Sequence, residues 1–157
     1  MKKSVDVVDE GKLPIYSFDY IISLELLARH AMTLQGKVPL SELHHVAETT
    51  LHSEGWVTFY FSFALDHDGR MAIEGSLDVV LSLQCQRCCQ PMELTLQVSP
   101  RLVAVSEEEA DHLDEDTEAL VLSGEPLQLG HLIEEEILLH MPLIPRHADE
   151  ACEWVFK

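Results

Sequence analysis

The sequence predicts an α+β fold: an antiparallel β-sheet with helices packed on one face, in a single domain over residues 1–157. Three observations carry this expectation. From residue 56 to residue 105 apolar side chains alternate with polar ones, the pattern of half-buried strands. Two turn-forming stretches, "HDGR" at 67–70 and "QCQRCCQP" at 84–91, break that run into consecutive strands. Leu- and Ala-rich stretches before it and a helical stripe after it supply the covering helices.

In chain order, "YIISLELLARHAMTL" (20–34) places apolar residues on several faces and reads as a helix stopped by Gly36. "SELHHVAETTL" (41–51) reads as a second helix behind Pro39, with Ser41 as its N-cap and Leu43, Val46, Ala47 and Leu51 on one face. In "WVTFYFSFALD", Val57, Phe59, Phe61, Phe63 and Leu65 alternate against Thr58, Tyr60, Ser62 and Ala64. Asp68-Gly69 then marks a hairpin. "MAIEGSLDVVLSLQC" is a long strand expected to bulge at Gly75, and "MELTLQVSPRLVAV" (92–105) is a third, with Pro100 at an edge or bend. The cysteine run is the second turn.

Residues 106 to 118, "SEEEADHLDEDTE", offer little that packs, and an exposed, mobile acidic loop is expected over about 106–126. "QLGHLIEEEILLHM" (128–141) reads as a helix whose core stripe is Leu129, Leu132, Ile133, Ile137 and Met141, closed by Pro142 and Pro145. Glu134, Glu135 and Glu136 are expected on its outer face, toward water or a partner.

Composition bounds the function. Apolar residues make up 46% of the 157, ordinary for a folded domain with a buried core. No run of 18 apolar residues indicates a membrane span. The start, "MKKSVDVVDEGKLP", meets Asp6, Asp9 and Glu10 before any apolar stretch, unlike a secretory signal, so a cytoplasmic protein with reduced thiols is expected. Ten Lys and Arg oppose 28 Asp and Glu, a net charge of −18. Such a chain has no broad basic face for neutralising phosphates; its field favours basic partners.

The cysteine turn carries the most specific chemistry. Cys85 and Cys88 form a C-x2-C pair between strands, a spacing that aims two sulfurs at one point as structural zinc requires. A second pair, His147 and Cys152, follows the last helix and completes a Cys3His set. Three thiolates leave a zinc site near −1, and Arg87 and Arg146 stand beside the ligands. Cys89 is either a small buried residue or a substitute for Cys88. Reduced thiols with a surface histidine are the metal-free alternative. A redox pair fits poorly, because such motifs open helices and this one joins strands.

"LDVVLSLQCQRCCQPMELTL", an acidic segment, and "LIEEEILLHMPLIPRHADEAC" together resemble the YceD family of large-subunit ribosomal RNA accumulation proteins, over roughly residues 20–153. The resemblance implies a small acidic protein involved in accumulation of 23S ribosomal RNA. It also implies a metal site whose pairs map onto Cys85 with Cys88 and His147 with Cys152. Many relatives have Cys where this chain has His147.

The function expected is a non-catalytic adaptor for a basic ribosomal protein, an assembly factor or an RNA-processing enzyme. Glu107, Glu108, Glu109, Asp111, Asp114, Glu115 and Asp116, with Glu134, Glu135 and Glu136, would meet the partner's basic surface. The alternative is direct RNA binding through Arg87, Arg101 and Arg146 with Trp154 and Phe156. Catalysis is not expected: there is no G-x-S-x-G, P-loop or H-E-x-x-H, and His44-His45 has no nucleophile motif near it.

Overall fold

Alternation in the sequence becomes alternation across a sheet. The structure, a computed structural model, describes residues 13–113, 117–122 and 124–147. Strands β3 (Trp56–Leu65) and β4 (Met71–Gln84) pair antiparallel from Thr58↔Asp78 to Leu65↔Met71. Their turn closes as expected. The Asp66 carboxyl accepts the N–H groups of Asp68 and Arg70, each at 2.9 Å, and Gly69 takes the positive φ of 82° that the turn requires. Val57, Phe59, Phe61 and Phe63 on β3, and Ile73, Leu77, Val79, Leu81 and Leu83 on β4, share the buried face. Phe61 and Phe63 are fully enclosed, each contributing about 1.5–3 kcal/mol relative to exposure. Leu65, expected inside, is exposed at the hairpin end.

The third expected strand is two. β5 (Pro91–Val98) and β6 (Arg101–Val105) both lie along β4, in one continuous register: Leu77 faces Val98 and Glu74 faces Arg101. Ser99-Pro100 interrupts them, as the proline predicts. The expected bulge at Gly75 is absent. Gly75 pairs with Phe61 without an extra residue and donates to the Pro100 carbonyl at 3.2 Å. What the position demands is close approach, since a Cβ there would collide with the Tyr60 carbonyl.

Both ends of the sheet depart from expectation. β2 (Thr33–Pro39) pairs with β3, so the helix expected over 20–34 is reduced to α1 (Leu24–Arg29). Gly36 sits inside this strand and stops no helix. Ladder pairing with the phenylalanine strand overrides the helix propensity of Leu and Ala. Ahead of α1, the two-residue β1 (Ile21–Ile22) pairs with β8 (Leu127–Gln128).

At the other end, residues 106 to 126 are not one loop. They hold α3 (Glu107–Ala110) and β7 (Glu118–Val121), which joins β6 in parallel from Leu102↔Glu118 to Val105↔Val121. A parallel return needs a crossover of about a dozen residues, and the acidic segment supplies it. Val103 and Val105, on the face away from the main core, are buried, and α3 packs on β6 and β7.

The other helices cover the inner face. α1 packs on β3 and β4, and α4 (Leu129–His140) packs on β5 and on α2 (His44–Ala47). Leu129, Leu132, Ile133 and Ile137 are buried as expected, with Met141 packed partly against the core. Ser41 does not cap α2, because it lies in a 3-10 turn, Leu40–Glu42, ahead of it. α4 starts on the chain before α1, where Gly130 donates to the Phe18 carbonyl at 2.8 Å and any Cβ at 130 would strike the Phe18 ring. Among the described residues no helix is long and apolar enough to cross a membrane.

Candidate metal centre and acidic surfaces

Cys85 is the next inward position after Ile73, Leu77, Val79, Leu81 and Leu83, so the strand's own alternation buries its sulfur. The chain then turns within six residues into β5. Cys89 N–H closes the turn on the Cys85 carbonyl at 2.8 Å, and Cys89 itself adopts φ 64°, a conformation unusual for a side chain with a Cβ. Cys89 is exposed, so of its two expected fates the buried one is excluded.

The segment after α4 returns to this turn. Gln86 N–H donates to the Pro145 carbonyl at 2.8 Å, which brings His147 beside both cysteines. The His147 and Arg87 N–H groups each donate to Cys85 Sγ at 3.4 Å. Burial alone pushes the Cys85 thiol up. The N–H groups of Cys88, His147 and Arg87 and the His147 side chain outweigh burial and bring it down to about 5. The pocket is built for a thiolate.

His147 Nε2 lies 3.2 Å from the Pro91 carbonyl, which can accept an Nε2–H when Nδ1 is given to a metal. Nδ1 lies 3.5 Å from Cys88 Sγ, and the ligand atoms of Cys85, Cys88 and His147 all fall within 4.8 Å of one another. Tetrahedral zinc, with bonds of about 2.3 Å to sulfur and 2.0 Å to nitrogen, sets its ligands about 3.5–3.8 Å apart. The three residues therefore fit a metal of this kind by donor type and by lying close enough to share one ion. Cys152, the expected fourth ligand, lies outside the described residues, as do Trp154 and Phe156.

The arginines divide. Arg87 and Arg146 line one groove with Met92, Leu94, Pro142, Ile144 and His147. Arg101 pairs with Glu74 at 3.2 Å at the start of β6, with all of β5 between it and the turn. At about 3.4 Å per residue that separation exceeds 25 Å, so the three do not form one patch.

The acidic residues divide too. Glu107, Glu108, Glu109 and Asp111 are exposed around α3, and Glu135 is exposed on α4; Asp114, Glu115 and Asp116 lie outside the described residues. Glu134 and Glu136, expected to face outward, are 3% exposed each. One Glu134 oxygen accepts the N–H groups of His45 at 2.6 Å and Val46 at 3.0 Å, and the other lies 3.2 Å from His45 Nδ1. It caps the start of α2 in place of Ser41. Glu136 is buried with Oε1 lacking any hydrogen-bond partner. Burial raises its carboxyl to about 7, Glu118 and Glu135 adding to the rise and His140 opposing it. A signal for Glu136 existed in the sequence: it lies three residues from Ile133 and four from Leu132, on the apolar stripe itself.

The family described as Large ribosomal RNA subunit accumulation protein YceD matches residues 73–155, just over half of the chain and including the cysteine turn and the segment after α4. A Haemophilus influenzae protein named Large ribosomal RNA subunit accumulation protein YceD is 30% identical over 131 residues, covering 80% of this chain and 74% of the relative. No solved structure matches. With the match spanning both halves of the candidate metal centre, the chain belongs to the YceD family.

Proposed function

We propose that this protein supports accumulation of large-subunit ribosomal RNA in the cytoplasm, as a non-catalytic acidic adaptor for a basic ribosomal protein, an assembly factor or an RNA-processing enzyme. The ribosomal RNA role follows the name of its relative. The adaptor role is carried by one observation: a net charge of −18, with Glu107, Glu108, Glu109 and Asp111 all exposed around one short helix. Such a surface repels phosphate and attracts Lys- and Arg-rich proteins. Affinity capture from a ribosome-producing lysate, with and without RNase, tests it. Capture of basic proteins that survives RNase and weakens steeply with salt is expected. Capture abolished by RNase would transfer the role to direct RNA contact, for which the groove of Arg87 and Arg146 offers a basic surface among the described residues.

The reading includes structural zinc on Cys85, Cys88, His147 and Cys152. With all four positions filled by protein, the metal would tie the β4–β5 turn to the chain after α4 and would activate no water. Metal analysis of protein purified without chelator should give about one zinc per chain, and Cys85→Ser or Cys152→Ser should lower it toward zero. Native protein free of zinc, with fully titratable thiols, would remove the site.

A further inference from the structure

The six-stranded sheet ends on β7, whose outer edge pairs with no strand among the described residues. Leu122 N–H donates inward to the Val105 carbonyl at 3.0 Å. With a period of two, the main-chain groups of Ala119 and Val121 therefore point out to the free edge. Beside that edge lies a groove of about 770 Å³, whose lining includes Ile21, Val121 and Leu122. These three are 51%, 42% and 48% exposed. Glu125 and Glu135 also line it on the exposed surface, with Glu135 3.0 Å from the Nε2 of His131, a further lining residue. The four-residue edge offers outward main-chain groups beside an apolar floor and carries no lysine.

We propose that β7 receives an extended, Lys- and Arg-bearing segment of a partner protein as an added strand. Main-chain bonds form to Ala119 and Val121. Alternate apolar side chains enter the floor, and the basic side chains meet Glu125 and Glu135. The carboxylates select this occupant: an acidic or uncharged strand would lose the rim contacts or be repelled by them. The inference rests on the adaptor reading and deepens it by naming the surface and the mode of contact.

The probe is a labelled ten-residue peptide alternating Lys and Val, titrated by fluorescence anisotropy and followed by amide hydrogen exchange. Wild type should bind it, with exchange at Ala119 and Val121 slowed at least tenfold. Ala119→Pro removes an outward N–H that the fold does not use and should weaken binding tenfold or more. Glu125→Gln with Glu135→Gln leaves the strand intact and should flatten the salt dependence. Equal binding by wild type and Ala119→Pro, with no protection at 119 and 121, would overturn strand addition while leaving the adaptor role standing. Failure of wild type to capture any basic protein would instead overturn the adaptor role itself. Two further outcomes would also overturn the proposal. Concentration-dependent dimerisation lost in Ala119→Pro would make a second copy the occupant. Amides at 119 and 121 already protected in the free chain, and released by deleting residues 1–12, would make it the chain's own N-terminal segment.

Discussion

The chain contains the tripeptide Glu-Glu-Glu twice, at 107–109 and at 134–136, and folds the two into different surroundings. The first opens α3 on the surface. There Glu109 closes a capping box with Ser106, donating its N–H to Ser106 Oγ at 3.3 Å and accepting the Ser106 N–H at 3.1 Å. Acidic residues in a helix's first turn also suit its dipole. The second lies inside α4 between Ile133 and Ile137, and two of its three side chains are buried. Composition cannot separate these runs. The helical stripe places Glu136, which Leu129, Leu132, Ile133 and Ile137 surround, but it does not tell buried Glu134 from exposed Glu135.

The sharpest way to break the comparison is to truncate one glutamate of each run. Glu134→Ala strips the acceptor from two backbone N–H groups at the start of α2, and each buried donor left unpaired costs about 1–3 kcal/mol. A loss of about 2–4 kcal/mol in urea unfolding is expected, lowering Tm by about 5–15 °C. Glu134→Gln keeps an oxygen for those donors and should recover most of it. Glu108→Ala, exposed, should stay within about 0.5 kcal/mol of wild type. Equal effects at 108 and 134 would mean that Glu134 caps nothing.

Next in size is Glu136, which tests burial through pH. Its carboxyl is raised from an ordinary 4.5 to about 7, first by burial and then by Glu118 and Glu135. The folded state therefore holds the proton more tightly than the unfolded chain. This favours folding fully below about pH 4.5, and the advantage is lost as pH rises through about 7. At 1.36 kcal/mol per pKa unit, discounted for solvent screening, the group lowers stability by about 2 kcal/mol between pH 4 and pH 8. Glu136→Gln should erase that slope and be the more stable protein at pH 8, though not at pH 4. A parallel pH profile for wild type and variant would place Glu136 in water, like Glu108.

The same contrast marks how far the sequence could be read. β3, β4 and their hairpin were legible because period-two alternation and Asp68-Gly69 are local signals. α4 was legible because Leu129, Leu132, Ile133 and Ile137 repeat at helical spacing. Cys85, Cys88 and His147 were legible by residue type, and the fold brings them together across the helix. What was lost depends on partners far away in sequence. β2 exists because β3 lies alongside it, and β7 because a crossover returns to β6. The cap of α2 is a side chain 88 residues beyond Val46. No window of a dozen residues contains such information, so the acidic crossover read as loop and the buried Glu134 as surface.

The smallest effect on stability, and the largest on charge, comes from the exposed run. Glu107→Gln with Glu108→Gln and Glu109→Gln removes three of 28 acidic charges and retains an oxygen at 109 for the Ser106 cap. Unfolding should shift by less than about 0.5 kcal/mol. If this surface steers a basic partner, the association rate should fall several-fold at low salt, and the gap should close near 0.5 M salt, where screening reaches about 4 Å. The dissociation rate should hardly move, because charges at the periphery act during approach more than in the docked complex. An association rate unchanged at low ionic strength would leave the 107–109 run a solvated crossover that only completes the sheet. The negative charge that matters would then lie elsewhere on the molecule, with Glu125 and Glu135 beside the β7 edge the first place to look.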